Sequence, residues 1–210
     1  MSEKSWDRLW DASPLEVLQF LLSGGYLKQA AWHPLGFVHV ELDRNLSSAY
    51  RFHIWPPGER RSKKPNWQIH NHVFSLTSKV LAGSIENRVY EVVDVPQGEA
   101  TNQLYEVAYG SASSELLPTG RFVMVVPESA KIYYAPATYE VSCGVFHESF
   151  VKHADVVATL VRTDFTGAAS PLVVGEINQR MGHHYEYHRV PVDQTDLNLW
   201  LHLALVGVTD

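Results

Sequence analysis

The chain has 210 residues, 45% of them hydrophobic and 19% charged, with a formal net charge of -6. That length suits one domain with a sizeable core, and the composition is globular rather than disordered. The acidic balance argues against nucleic acid as a partner, and no run of about 18 apolar residues suggests a membrane span.

The first residues, M-S-E-K-S-W-D-R-L-W, lack the apolar centre of a secretory signal, and Cys143 is the only cysteine. Together these predict a reducing, cytoplasmic setting. Ser13-Pro14-Leu15-Glu16 has the form of a capping box with proline at the first helical position. The apolar spacing of L-E-V-L-Q-F-L-L predicts a helix over 14–23, ended by Gly24-Gly25.

From Phe37 the period changes to two. F-V-H-V-E-L (37–42) alternates, and A-Y-R-F-H-I-W (49–55) is aromatic and β-branched up to Pro56-Pro57-Gly58. Arg51, His53 and Trp55 share one face of that second strand. Arg51 is a candidate partner for an anionic substrate, with an outward ion pair as the alternative. E-R-R-S-K-K (59–64) reads as a solvated loop. After W-Q-I-H-N-H (67–72), strands are predicted at 75–82, 87–93, 102–109, 121–126, 131–134, 140–146 and 156–163. V-P-Q-G-E, L-L-P-T-G, P-E-S-A and A-P-A-T between them are turn chemistry. Many short strands at this spacing predict an all-β sandwich or barrel.

G-H-H-Y-E-Y-H (182–188) would place His184, Glu186 and His188 on one strand face. A polar sheet surface or a dimer contact suits them better than a second metal. Cys143 reads as a buried small residue. In L-N-L-W-L-H-L-A-L-V (197–206) the alternating leucines favour a strand, but a buried helix is equally apolar, and periodicity leaves both open.

His70 and His72 project to the same side of a strand, and Asn71 to the other. Two such imidazoles can occupy neighbouring positions on a metal, each at roughly 2.0–2.1 Å for zinc, if an adjacent strand adds a third ligand. Taken alone, H-x-H reads better as two polar residues on an exposed face.

The stretch I-H-N-H-V-F-S-L-T-S-K-V-L-A-G-S (69–84) resembles the first motif of the cupin superfamily, a paired H-x-H followed by an apolar strand and a glycine turn. Within it the stretch is most similar to the thiol dioxygenases: cysteine dioxygenase, plant cysteine oxidases and aminoethanethiol dioxygenases. C-G-V-F-H-E-S (143–149) resembles the second motif, with His147 in the place of the third ligand, and Q-R-M-G-H (179–183) is a weaker echo. The resemblance covers about Tyr50 to Thr163.

It implies a cupin (jelly-roll) barrel with a short N-terminal helix, as a single domain over 1–210. A helical extension would span about 1–30, the barrel about 35–190, and an apolar segment 195–210. It also implies a divalent metal on His70, His72 and His147, Fe(II) as in the thiol dioxygenases, with Zn, Ni or Mn open to the same imidazoles. Many cupins add a glutamate ligand where this chain has Leu76 and Thr77. Three neutral imidazoles leave open positions and uncompensated charge, which suits a small anionic substrate with O2. The cysteine dioxygenases have an assisting histidine and tyrosine where Val161 and Thr163 align. Their cysteine crosslinked to the tyrosine aligns near Thr77, and their carboxylate-binding arginine falls near Phe37 to His39.

The implied function is an Fe(II)-dependent oxygenase related to cysteine dioxygenase but not one itself. Arg51, His53, Thr77, Val161 and Thr163 line the expected pocket, and a homodimer is compatible. A metal-dependent isomerase, lyase or hydrolase, or a ligand-binding cupin without turnover, is the alternative. No catalytic acid or base is singled out.

Overall fold

A computed structural model describes residues 3–23, 25–58, 60–110, 113–152, 154–165, 170–177 and 184–209. The chain opens with two helices, α1 (Glu3–Asp11) and α2 (Pro14–Ser23). The capping box forms: Glu16 N–H donates to Ser13 Oγ at 3.3 Å, and Ser13 N–H donates to the Glu16 carboxylate at 2.8 Å. Within the expected helical extension the sequence predicts one helix, at 14–23, and α1 is a second. Its Trp6 is buried against Phe20, Tyr26 and Tyr50, and the Tyr50 hydroxyl donates to Asp7.

Strands β1 (Ala31–Trp32), β2 (Val38–Arg44), β3 (Ser48–Trp55), β4 (Phe74–Ala82) and β5 (Ser84–Asp94) follow, then β6 (Asn102–Tyr109), β7 (Ser113–Tyr134), β8 (Thr138–Val141) and β9 (Phe146–Phe150). The last are β10 (Val157–Phe165), β11 (Leu172–Gly175), β12 (Tyr185–His188) and β13 (Val190–Pro191). They form two sheets, ordered β13-β1-β2-β3-β10-β4-β8 and β11-β6-β7-β5-β9, with β12 paired to β7, and every pairing is antiparallel. The result is an antiparallel β-sandwich with short N-terminal helices. Among the described residues no ladder closes either sheet into a barrel. The two edge strands of the second sheet, β9 and β11, are each joined to His70 by a single bridge.

Two predicted turns are corrected. L-L-P-T-G and P-E-S-A lie inside the 22-residue β7. Both prolines fall where register shifts: Pro118 opposite Tyr105, Pro127 opposite Tyr90. A strand tolerates proline at such irregularities, where no ladder donor is required. The predicted strand at 140–146 divides into β8 and β9 around a turn in which Gly144 has φ 80°. That turn exposes Cys143, which was expected to be buried.

The C-terminal segment is helix α3 (Gln194–Thr209). Asp193 caps it, its carboxylate accepting from Thr195 N–H at 2.7 Å and Asp196 N–H at 3.3 Å. Leu197, Trp200, Leu201 and Ala204 are buried at helical spacing, while Leu199 and Leu203 are exposed, so the alternating leucines divide between two faces. Helices α2 and α3 cover one face of the first sheet, packing on Val38, Val40, Phe52, Ile54, Ala158 and Leu160. The other face turns inward, where Trp55, Phe74, Leu76, Val80 and Val161 build a second core. No described helix is long and apolar enough to cross a membrane.

Candidate metal centre

The segment before β4 has no ladder of its own, yet its backbone is held on both sides. His70 N–H donates to His147 O at 3.0 Å, and His147 N–H donates to His70 O at 2.8 Å. Asn71 N–H donates to Leu172 O and Val174 N–H to Ile69 O, both at 2.9 Å. The Trp67 ring lies so close to Gly175 that a Cβ there would fall 2.4 Å from it, which is why a glycine stands at this approach. His70 and His72 project together as expected, although the pair precedes the strand, which begins at Phe74. Asn71 turns aside, its side-chain oxygen accepting from Leu172 N–H at 2.7 Å.

His147 comes from β9, opposite Val89. The three rings have centroids 4.7, 4.8 and 5.2 Å apart, and one ligand nitrogen from each lies within 4.8 Å of the others. His72 Nε2 and His147 Nε2 are 3.1 Å apart. Two nitrogens bound to one ion at about 2.0–2.1 Å, subtending about 90–110°, would be separated by about 2.8–3.4 Å. This pair therefore fits a shared ion.

The remaining nitrogens orient the rings. His70 Nδ1 lies 2.8 Å from Gln68 O, and His147 Nδ1 lies 2.8 Å from Asn87 Oδ1. Each Nδ1–H donates to its oxygen, which leaves Nε2 as the ligating atom. Asn87 and His147 are both buried. Burial lowers the pKa of all three imidazoles below the ordinary histidine value. For His72 the neighbouring His70, His147 and Arg51 lower it further. Neutral imidazole is the form that binds a metal. Among the described residues no carboxylate joins the cluster. Leu76, four residues after His72, is a buried core residue.

The inner face of the first sheet approaches this cluster. The Phe74 ring stacks on His72 at 4.8 Å, and the Arg51 guanidinium lies 4.7 Å from the Phe74 centroid. Register places Arg51 opposite Val161, and His53 opposite both His39 and Thr159. Of the expected pocket residues, Arg51, His53, Val161 and Thr163 are therefore on the inner side. Thr77 is not: it pairs with Arg162, whose guanidinium lies over Trp10 on the helix side. Strand alternation from the buried Leu76 turns it outward. The Thr163 hydroxyl donates to Ala49 O at 3.3 Å.

His33 and His39 went unrecognised in the sequence. The His33 ring stacks on Phe37 at 4.4 Å, and the His39 ring is 5.3 Å from that of His53. Burial lowers the pKa of both, to about 4 for His39, with Arg51 adding to the effect. The period-two pattern of F-V-H-V-E-L could have grouped His39 with Phe37 and Glu41. Asn87 carries no local signal, because its role depends on cross-strand register. Glu148 points away from His147, accepting from Arg88 at 3.1 Å and the Tyr90 hydroxyl at 2.7 Å. In β12, Glu186 and His188 are exposed and 3.7 Å apart, and His184 is also exposed. They form no candidate metal cluster among the described residues. Q-R-M-G-H (179–183) lies outside the described residues.

No family model and no curated protein sequence matches the chain. Among solved structures it is similar to DMSP lyases, with a TM-score of 0.31 and 15% identity over 64% of this chain and 51% of that one. It is also similar to oxalate oxidase, with a TM-score of 0.38 and 14% identity over 84% of this chain and 71% of that one. The chain thus spans about half the length of the DMSP lyase chain it matches.

Proposed function

We propose that this protein is a mononuclear metal enzyme of the cupin type, an Fe(II)-dependent oxygenase that acts on a small anionic molecule. The observation that carries the reading is the convergence of half-buried His70 and His72 with buried His147, neutral and with no carboxylate ligand among the described residues. Held there, Fe(II) would supply redox chemistry at coordination positions that the protein leaves open. The chain's own part is to hold the three imidazoles, exclude bulk water and orient the substrate.

Arg51 is the group proposed to hold the substrate's charge. Its side chain is only 14% exposed, and its nearest counter-ion, Glu41, is 3.8 Å from Nε. Glu41 is already bound by Arg44 at 2.8 and 2.5 Å. One carboxylate between two guanidinium groups leaves one positive charge uncompensated, and this favours an anion.

The test is O2 uptake by Fe(II)-loaded protein across a panel of small carboxylates. Uptake that requires both iron and one of these acids supports the reading. Product formed without O2 would move it to Lewis-acid isomerase, lyase or hydrolase chemistry.

Free cysteine is expected to give little or no uptake. Val161 offers no proton-transfer group, and the Thr163 hydroxyl is engaged with the backbone. Rapid conversion of cysteine to its sulfinic acid would contradict this.

A further inference from the structure

We infer that the inner face of β3 and β10 is the wall that reads the substrate, and that it takes a hydroxy- or oxocarboxylate without an amino group. This rests on the metal-centre reading above and assigns the substrate class for that site.

Four buried polar atoms on the inner faces of these two strands have no hydrogen-bond partner, Arg51 Nε, His53 Nε2, Trp55 Nε1 and Thr159 Oγ1; a fifth, Arg162 Nε of β10, lies on the helix side. Thr159 is 0% exposed and Trp55 4% exposed. Leaving such groups unpaired in an interior is costly, and a native fold retains them where a ligand or water completes them. They also form a pattern. Arg51, His53 and Trp55 alternate on one face of β3, and Thr159 stands directly opposite His53. Alternate residues on a strand face lie about 6.6–6.8 Å apart, so the row runs about 13 Å. One end, Arg51, adjoins the Phe74 ring that stacks on His72. At the other end Trp55 borders a cavity of about 180 Å³ that also includes the exposed Gly58 and Arg61. The row therefore leads from the metal cluster toward the surface.

The chemistry of the row selects its ligand. Arginine Nε–H and indole N–H donate only, while a threonine hydroxyl and a neutral imidazole can donate or accept. His53 is held neutral, its pKa lowered by burial and by His39 and Arg51. A ligand that satisfies the row must offer acceptor oxygens at its two ends, a carboxylate toward Arg51 and a hydroxyl or carbonyl oxygen toward Trp55. An ammonium group at the far end would meet the donor-only indole N–H of Trp55 instead of an acceptor. The carboxylate nearest Arg51, that of Glu41, is occupied by the bidentate contact with Arg44.

The experiment uses full-length protein loaded with Zn(II), which is redox-inert. Zinc stoichiometry is measured first. Calorimetric titration then compares D-gluconate with 6-aminohexanoate, an acid of the same chain length that carries an ammonium and no hydroxyls. Gluconate is expected to bind at least about tenfold more tightly, a difference on the scale of one charge-assisted hydrogen bond. Arg51→Met and Thr159→Val are each expected to raise the gluconate Kd about tenfold. Thr159→Val preserves shape and removes a hydroxyl that has no partner. It should therefore retain zinc and a melting temperature equal to or above that of the parent, which separates lost recognition from lost folding.

The inference is overturned by a gluconate Kd weaker than about 10 mM on zinc-loaded protein, by equal binding of the two acids, or by an unchanged gluconate Kd in Thr159→Val. Failure to take up zinc would instead overturn the metal-centre reading, and gluconate binding to such protein would leave the wall standing.

Discussion

His147→Ala should abolish stoichiometric metal binding. His147 Nε2 lies 3.1 Å from His72 Nε2, and its removal leaves two imidazoles with no carboxylate to replace it among the described residues. Loss of an outer partner of a ligand typically costs 10–100-fold in affinity, so loss of the ligand itself should cost at least about 100-fold. Asn87→Leu tests the outer effect, because it removes the acceptor that fixes the His147 tautomer. It should weaken binding about 10–100-fold without abolishing it. Metal content after dialysis, with melting temperature as a folding control, checks both. Full occupancy in His147→Ala would remove that residue from the centre.

Mild acid should destabilise the metal-free protein strongly. His33, His39, His53, His70, His72 and His147 all have pKa values lowered first by burial. In the unfolded chain each titrates near 6.5. Below that pH the unfolded state gains protons that the folded state refuses, so stability present above about pH 6.5 is lost as pH falls. For His39, whose folded value is about 4, a drop from about pH 7 to about pH 5 removes on the order of 2 kcal/mol. In a chain of this size that alone is about 4–8 °C of Tm, and the other five add to it. The carboxylates held low by partners, such as Glu41 and Asp94, contribute at lower pH, as it falls below their ordinary range. Thermal melts across this interval check the prediction, and His39→Leu should flatten part of the slope. A constant Tm from about pH 7 to about pH 5 would show that these imidazoles take up protons in the fold as they do in the unfolded chain.

The parts of the architecture that were legible in sequence are those set by local pattern. The capping box at Ser13 and the alternation around Arg51 and His53 needed no knowledge of distant residues. The long β7 was not legible, because its prolines look like turns unless the register shifts opposite Tyr90 and Tyr105 are known. Alternating leucines left the C-terminal segment open, and docking against α2 resolved it as a helix. The three clustered histidines were found through motif resemblance. Their supports were not: Asn87 reaches His147 through the pairing of β5 with β9, and His39 meets His53 through the pairing of β2 with β3. Alignment to a family position carries no information about which way a side chain turns, and Thr77 pairs with Arg162 on the helix side.

X-ray absorption at the zinc edge of Zn(II)-loaded protein tests the central claim most directly. One zinc per chain should appear with three imidazole nitrogens at about 2.0–2.1 Å, and that shell should be lost in His147→Ala. A shell containing the Cys143 sulfur or fewer than three imidazoles, or the absence of stoichiometric zinc, would contradict the assignment of His70, His72 and His147 as the metal centre.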